Sequence, residues 1–237
     1  MMRRLARPTA AFGPSGGTRL LQALRRLPSA VVVQHRGAAS PAEAGPHGRP
    51  SNPDFSSDVM ARVFQPFKWI RWRMNKIDSA RAAYEKCSQA FKTNETFFVQ
   101  ELGLKDNFSS WFAITVLHVW IYTLRLRAEE GEGKELKQEI FNHLWLDTEI
   151  ALHKAGVKRQ LNKRIQNLLG SYYGQTLAYD EGLATNDAVF AAALWRNVFQ
   201  AQQVKPTSVE ALLTYVRRKL QTMEYADTKS LLDGSAL

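Results

Sequence analysis

From residue 54 onward the apolar residues recur at intervals of three and four, and runs that alternate apolar with polar are scarce, which is the period of helices. The last segment is the clearest. Ser208 is a good N-cap with Glu210 in the first turn. Val209, Leu212, Leu213, Val216, Leu220 and Met223 then make one stripe, with Arg217, Arg218 and Lys219 opposite or beside it. The same logic predicts helices over 78–91, over 94–102 (opened by Asn94 and ended by Gly103), and over 111–127 with Ser109 or Ser110 as cap. Further helices are predicted over 134–155, ended by Gly156 at C′, then over 157–183 and 187–203, with Pro206 separating 187–203 from the last helix. Segment 111–127 is apolar nearly all round and should be the buried central element. Gly170 and Gly174 mark places where a neighbour is expected to approach closely. No repeat at solenoid periods is visible. The expectation is a single all-α domain of about seven or eight helices over 54–226, followed by a short tail over 227–237.

The positions that break the pattern carry the candidate chemistry. In the helix over 134–155 the core stripe runs Ile140, Leu144, Asp147, Ala151; in the next it runs Ile165, Leu169, Tyr172, Thr176, Asp180, Leu183. Each stripe therefore includes a carboxylate. His118 lies inside the apolar WFAITVLHVWIY, and Arg196 and Asn197 follow the apolar run 191–195. A buried charge is unfavourable unless paired, so these residues should find each other, Arg196 pairing with Asp147 or Asp180 and His118 close by. A structural polar network is the first reading of the five, and a ligand or partner contact the second. A metal site is the third, because Glu139, His143 and Asp147 fall at i, i+4, i+8 and Glu149 and His153 repeat the i, i+4 spacing. However, the Glu-x-x-His motif of di-iron bundles is absent, and Glu-to-His at i, i+4 is common as a solvated helix pair.

Charge changes the picture mainly at the N-terminus. Of a formal net charge of +10, residues 1–50 contribute eight arginines against the single acid Glu43, so the body is only mildly basic. Within 18–27, Leu20, Leu21, Leu24 and Leu27 share one helical face while Arg19, Gln22, Arg25 and Arg26 share the other. An arginine-rich, acid-free, amphipathic leader describes a mitochondrial transit peptide, assigned to 1–40. Residues 41–53, PAEAGPHGRPSNP, then read as a Pro/Gly-rich linker.

Two surface patches stand out in the body. Lys154, Lys158, Arg159, Lys163 and Arg164 form the densest basic cluster, with no acid between Glu149 and Asp180. A solvated helix face is the plain reading; ribosomal RNA, an acidic partner or anionic lipid is the functional one. Lys68, Trp69, Ile70, Arg71, Trp72 and Arg73 interleave bases with tryptophans. Trp69, Trp72, Trp145 and Trp195 are candidates for exposed anchors, with core packing expected for at least half of them. Cys87, the single cysteine, excludes an intrachain disulfide and reads as an inert small hydrophobe. No apolar run reaches the roughly 18 residues of a membrane span. No P-loop, dinucleotide fingerprint or EF-hand is present.

Three segments in this order, 111–120 (WFAITVLHVW), 177–183 (LAYDEGL) and 191–197 (AAALWRN), resemble the ubiquinol–cytochrome c chaperone family, the mitochondrial assembly factors for respiratory complex III. The likeness extends over roughly residues 107–223 and more weakly back to 54. It implies an all-helical protein with no enzymatic activity, cofactor or small-molecule substrate, acting at the matrix face of the inner membrane. The implied partners are a small helical assembly factor, newly made cytochrome b and the mitochondrial ribosome, with peripheral membrane contact. One departure is that the chain stops soon after Tyr225, at ADTKSLLDGSAL, where a longer tail is expected. Two other classes stay open: a mitochondrial RNA- or ribosome-binding helical protein acting through 154–164, and a helical metalloenzyme using His143, Asp147 and His153.

Overall fold

The computed structural model describes residues 58–236 except 130 and 158, and the side chains from 71 onward except that of 72. The leader over 1–40, the linker over 41–53, and the side chains of Lys68, Trp69, Ile70 and Trp72 lie outside the described residues. Among those described there are seven α-helices, one π-helical turn and no strand, in keeping with the periodicity. The helices are α1 (Asp58–Thr93), α2 (Phe108–Leu126), α3 (Glu132–Lys154), α4 (Leu161–Thr185), α5 (Asp187–Val198), α6 (Pro206–Glu224) and α7 (Thr228–Leu232), with the π turn at Thr96–Glu101. None is long and apolar enough to cross a membrane.

α2 is the axis. Its hydrophobic all-round sequence is buried along almost its whole length, from Ser110 through Leu124 and again at Leu126, with only Trp111 partly exposed in that run. Every other long helix packs on it. α1 and α3 flank one side and also pack on each other, while α4, α5 and α6 follow as successive neighbours on the other. The structure thus consists of two helical layers that share one buried rod, with Trp120, Tyr122 and Leu117 at its centre.

Local chemistry explains most boundaries and moves several of them. The cap of α2 is Asn107 and not a serine: its side chain accepts from the Ser110 amide at 3.0 Å, which starts the helix three residues early. Asn94 closes a helix instead of opening one, its Nδ2 donating to the Ala90 carbonyl at 3.0 Å. The segment after it is the π turn, whose wide spacing lets the consecutive Phe97 and Phe98 both pack on Tyr215, at ring distances of 5.1 and 5.4 Å. Pro206 occupies the first turn of α6, where its missing N–H loses nothing, and Ser208 is buried inside that turn. Gly156 ends α3 at φ 80°, as expected of C′.

The tail is packed over its described residues, 227–236. Asp227 caps α7, Leu231 is fully buried, and the Tyr122 hydroxyl donates to the Leu231 carbonyl. Thr228 Oγ1 also donates to Glu129 at the end of α2, 3.1 Å away. The folded unit therefore runs to the end of the described chain.

Candidate functional site

The polar residues singled out by periodicity do sit against the core, but in three separate places. Asp180, on α4, accepts the indole N–H of Trp120 at 2.8 Å and a two-pronged pair from Arg127 at 3.0 Å each. Both charged side chains are 15% exposed, enough burial for the pairing to matter. The expected partner, Arg196, is exposed on the outer side of α5, because Phe190, Ala193, Leu194 and Val198 take that helix's buried face. Arg127 takes its place for a geometric reason. It lies seven residues, about two turns, beyond Trp120, so both reach the same carboxylate. Lys137 lies within electrostatic range of this pair, and burial followed by the Arg127 charge holds its ammonium below the usual lysine range.

Asp147 accepts from the Tyr84 hydroxyl at 2.8 Å, joining α3 to α1, and the Tyr84 ring stacks on His143 at 6.2 Å. Burial and the facing carboxylate raise the Tyr84 phenol far above its ordinary value. His118, 2% exposed on α2, bonds the Ile114 carbonyl through Nδ1 at 2.8 Å and the Tyr215 hydroxyl through Nε2 at 2.9 Å. A carbonyl only accepts, so Nδ1 carries the proton and Nε2 accepts from Tyr215. Burial pushes the His118 pKa down to about 4. Asn197 is half-buried beside α5's core face and belongs to none of the three pairs. The single five-residue network expected from spacing is therefore replaced by three short pairings, each tying two helices together.

The residues weighed as metal ligands are engaged separately. Glu139 faces Arg73 at 3.7 Å and accepts from Asn142 at 3.1 Å, while Glu149 and His153 face each other at 3.9 Å on the exposed side of α3. Among the described residues no cluster of three His, Cys, Asp or Glu side chains is assembled. Cys87 is fully buried, and desolvation pushes its thiol pKa up to about 12.

The surface is where unspent apolar area lies. Lys154, Arg159, Lys163 and Arg164 are all exposed around the α3–α4 turn, and Lys158 lies outside the described residues. α3 and α4 meet through an aromatic ladder in which Phe141 touches Tyr172 (5.5 Å) and Tyr173 (6.4 Å), and Trp145 touches Tyr172 (6.1 Å). Leu146, Tyr173 and Leu177 stand out to solvent on these two helices. Of the anchor candidates, Trp145 is half-buried in that ladder, and Trp195 is exposed beside an apolar groove between α5 and α6 that sequence reasoning missed.

Comparison with known proteins agrees with this architecture. The profile of a family described as ubiquinol-cytochrome C chaperone matches residues 100–237. Ubiquinol-cytochrome c reductase complex assembly factor 1 of Mus musculus is 34% identical over 168 residues, covering 70% of this chain and 56% of that protein. Its namesake in Xenopus laevis is 32% identical over 168 residues, covering 70% and 82%. The chain thus spans little more than half the length of the mouse relative. The crystal structure of the Cbp3 homolog from Brucella abortus superposes with a TM-score of 0.62 at 25% identity, covering 73% of this chain and 93% of that one.

Proposed function

The chain belongs to the ubiquinol–cytochrome c chaperone family, and from that premise we propose that it is a non-enzymatic assembly chaperone for respiratory complex III. It works in mitochondria, at the matrix face of the inner membrane, and with a small helical assembly factor it receives newly made cytochrome b beside the ribosome. The observation that carries this reading is the division of labour between inside and outside. The interior polar groups of Arg127, Asp180, Trp120, Tyr84, Asp147, His118 and Tyr215 bond to one another. Large apolar groups at Leu146, Tyr173, Leu177 and Trp195 face out. A body built this way is a rigid scaffold that offers adhesive surface, as a holder of unfinished subunits requires.

The test is affinity purification of the tagged full chain from mitochondria, with identification of the co-purifying chains. Newly made cytochrome b and a small helical protein are expected. The exposed cluster of Lys154, Arg159, Lys163 and Arg164 supports a second reading, an RNA- or ribosome-binding protein without a complex III role. Recovery of ribosomal components alone, released at moderate salt, would replace the first reading by the second, because phosphate contacts weaken steeply with salt.

A further inference from the structure

α5 and α6 run antiparallel and leave between their outward faces a groove of about 370 Å³. Its floor is Ala191 and Ala192, and its walls are Trp195 on α5 with Val209 and Leu213 on α6. Further along the same two helices Arg217 bonds the Asp187 carboxylate (Nε at 3.1 Å) and lies over the Phe190 ring at 5.3 Å, tying α6 to α5. At one end of the furrow stand Trp195 and Pro206. From Pro206 to Leu213 the lining runs seven residues of helix, or about 10 Å, room for about two turns of a visiting helix.

Trp195 is held, not merely left outside. Its indole N–H donates to the Gln202 carbonyl at 2.8 Å. That carbonyl is brought back under the ring by Gln200 and Ala201, both at φ 53°. Two consecutive non-glycine residues in the left-handed region are strained by about 1 kcal/mol or more each, and such strain persists only where the surroundings impose it. The chain therefore fixes the edge of a ring that remains 36% exposed beside an apolar furrow.

The walls define the occupant. Both are helices whose backbone groups are satisfied internally, so an added strand would find no ladder to join. The furrow is open along its length and encloses nothing compact. Its alanine floor admits the ridge of another helix, as ridges-into-grooves packing requires. Glu210 is the one charged residue on its lining and has no ion-pair partner among the described residues, so a complementary visitor brings a cation beside its apolar stripe. We propose that the groove between α5 and α6 is the docking site for an amphipathic helix of another protein, with aliphatic residues at i, i+4 and i+7 and a Lys or Arg next to them. This names the chemistry of the partner in the chaperone reading and rests on that reading for its biological meaning.

The experiment uses the full chain and a fluorescein-labelled 18-residue helical peptide of Leu, Ala and Lys with that spacing, followed by anisotropy. Binding is expected for this peptide and not for a control in which the leucines are serines. Ala192→Trp fills the furrow from an exposed position and should weaken binding at least tenfold while leaving the thermal melting point unchanged. Glu210→Lys should weaken the Lys peptide about tenfold and favour a Glu-substituted peptide instead. Equal binding by wild type and Ala192→Trp, or by leucine and serine peptides, would overturn the proposal. Purification from mitochondria separates the two readings. Complex III components retained by Ala192→Trp would sink the groove and leave the chaperone standing. Their absence from the wild-type sample, with peptide binding intact, would sink the chaperone and leave the groove.

Discussion

The two halves of α4 show opposite ways of using a helix. Its C-terminal half is clamped. Gly182 sits so close to α5 that an added Cβ would lie 2.6 Å from the Phe190 Cα, and Asn186 turns the chain at once into α5 by accepting the Ala188 and Val189 amides at 3.0 Å each. Its N-terminal half, as far as Gly174, is open on its outer side. A Cβ at Gly170 or Gly174 would meet nothing within 4 Å, and Tyr173 stands out to solvent while Tyr172 beside it packs on α3. The same residue type thus answers two different needs, close packing at 182 and an uncrowded outer face at 170 and 174. The expectation of a near neighbour at 170 and 174 fails, and the near neighbour is found one helix-half later. Rigidity lies where α4 meets α5 and α2; the adhesive surface lies where it does not.

Breaking the clamped half should give the largest effect. Gly182→Val puts branched carbon into the backbone of α5, which cannot rotate away as a side chain would, and a loss of about 3 kcal/mol or more is expected. Chemical denaturation followed by far-UV circular dichroism measures it; a loss below about 1 kcal/mol would mean that α4 and α5 are not locked together. Next comes the ion pair in the same half. Asp180→Ala leaves the Arg127 guanidinium and the Trp120 N–H without their acceptor, with an expected loss of about 3 kcal/mol. Asp180→Asn keeps an acceptor for Trp120 and should lose less. Arg196→Ala, which would have been the damaging variant under the pairing read from spacing, should change stability by less than about 0.5 kcal/mol.

How far such pairings can be read in advance depends on what sets them. The 3.6 period places Asp180, Asp147 and His118 on inward faces because each helix's own geometry decides that. Which cation reaches Asp180 depends on how α2 crosses α4, and a helical wheel of one segment holds no information about the crossing. Arg127 could have been suspected only from its two-turn spacing from Trp120. Caps were ambiguous for a similar reason. Asn107, Ser109 and Ser110 all have capping side chains, and only the β-region backbone of Asn107 selects it. The groove of Trp195 was invisible because it needs left-handed backbone at Gln200 and Ala201, residues with no preference for it. The packed tail escaped notice because five residues of helix are too few to show a period.

The core that the clamped half leans on should also report its packing through pH. The folded His118 pKa is depressed to about 4, first by burial, which outweighs the opposing hydrogen bond to Ile114, and further by Lys219. An unfolded histidine titrates near 6.5. The unfolded chain therefore binds the extra proton between those values. The stability contribution is fully present above about pH 6.5, falls as the pH drops through the window, and is lost below about 4. A drop of about 1 kcal/mol is expected between pH 7.5 and 5.5, read from urea midpoints, and His118→Gln should flatten it. An equal slope in both proteins would show that His118 is not the group responsible.

The smallest effect belongs to the open half, and its sign is the sharper test of the comparison. Gly170 and Gly174 occupy helix interior with ordinary helical backbone and free space around the missing Cβ. Alanine there narrows the unfolded ensemble without meeting any neighbour, so Gly170→Ala and Gly174→Ala should each stabilise by about 0.5–1 kcal/mol. The same change at Gly182 should destabilise. If alanine at 170 or 174 lowers the melting temperature instead, something does approach that face in the folded protein, and the open half is not open. If both substitutions stabilise the chain yet weaken recovery of its partners from mitochondria, the glycines are kept for a surface that another molecule covers. Stability would then have been given up there for contact, as at other faces that must bind.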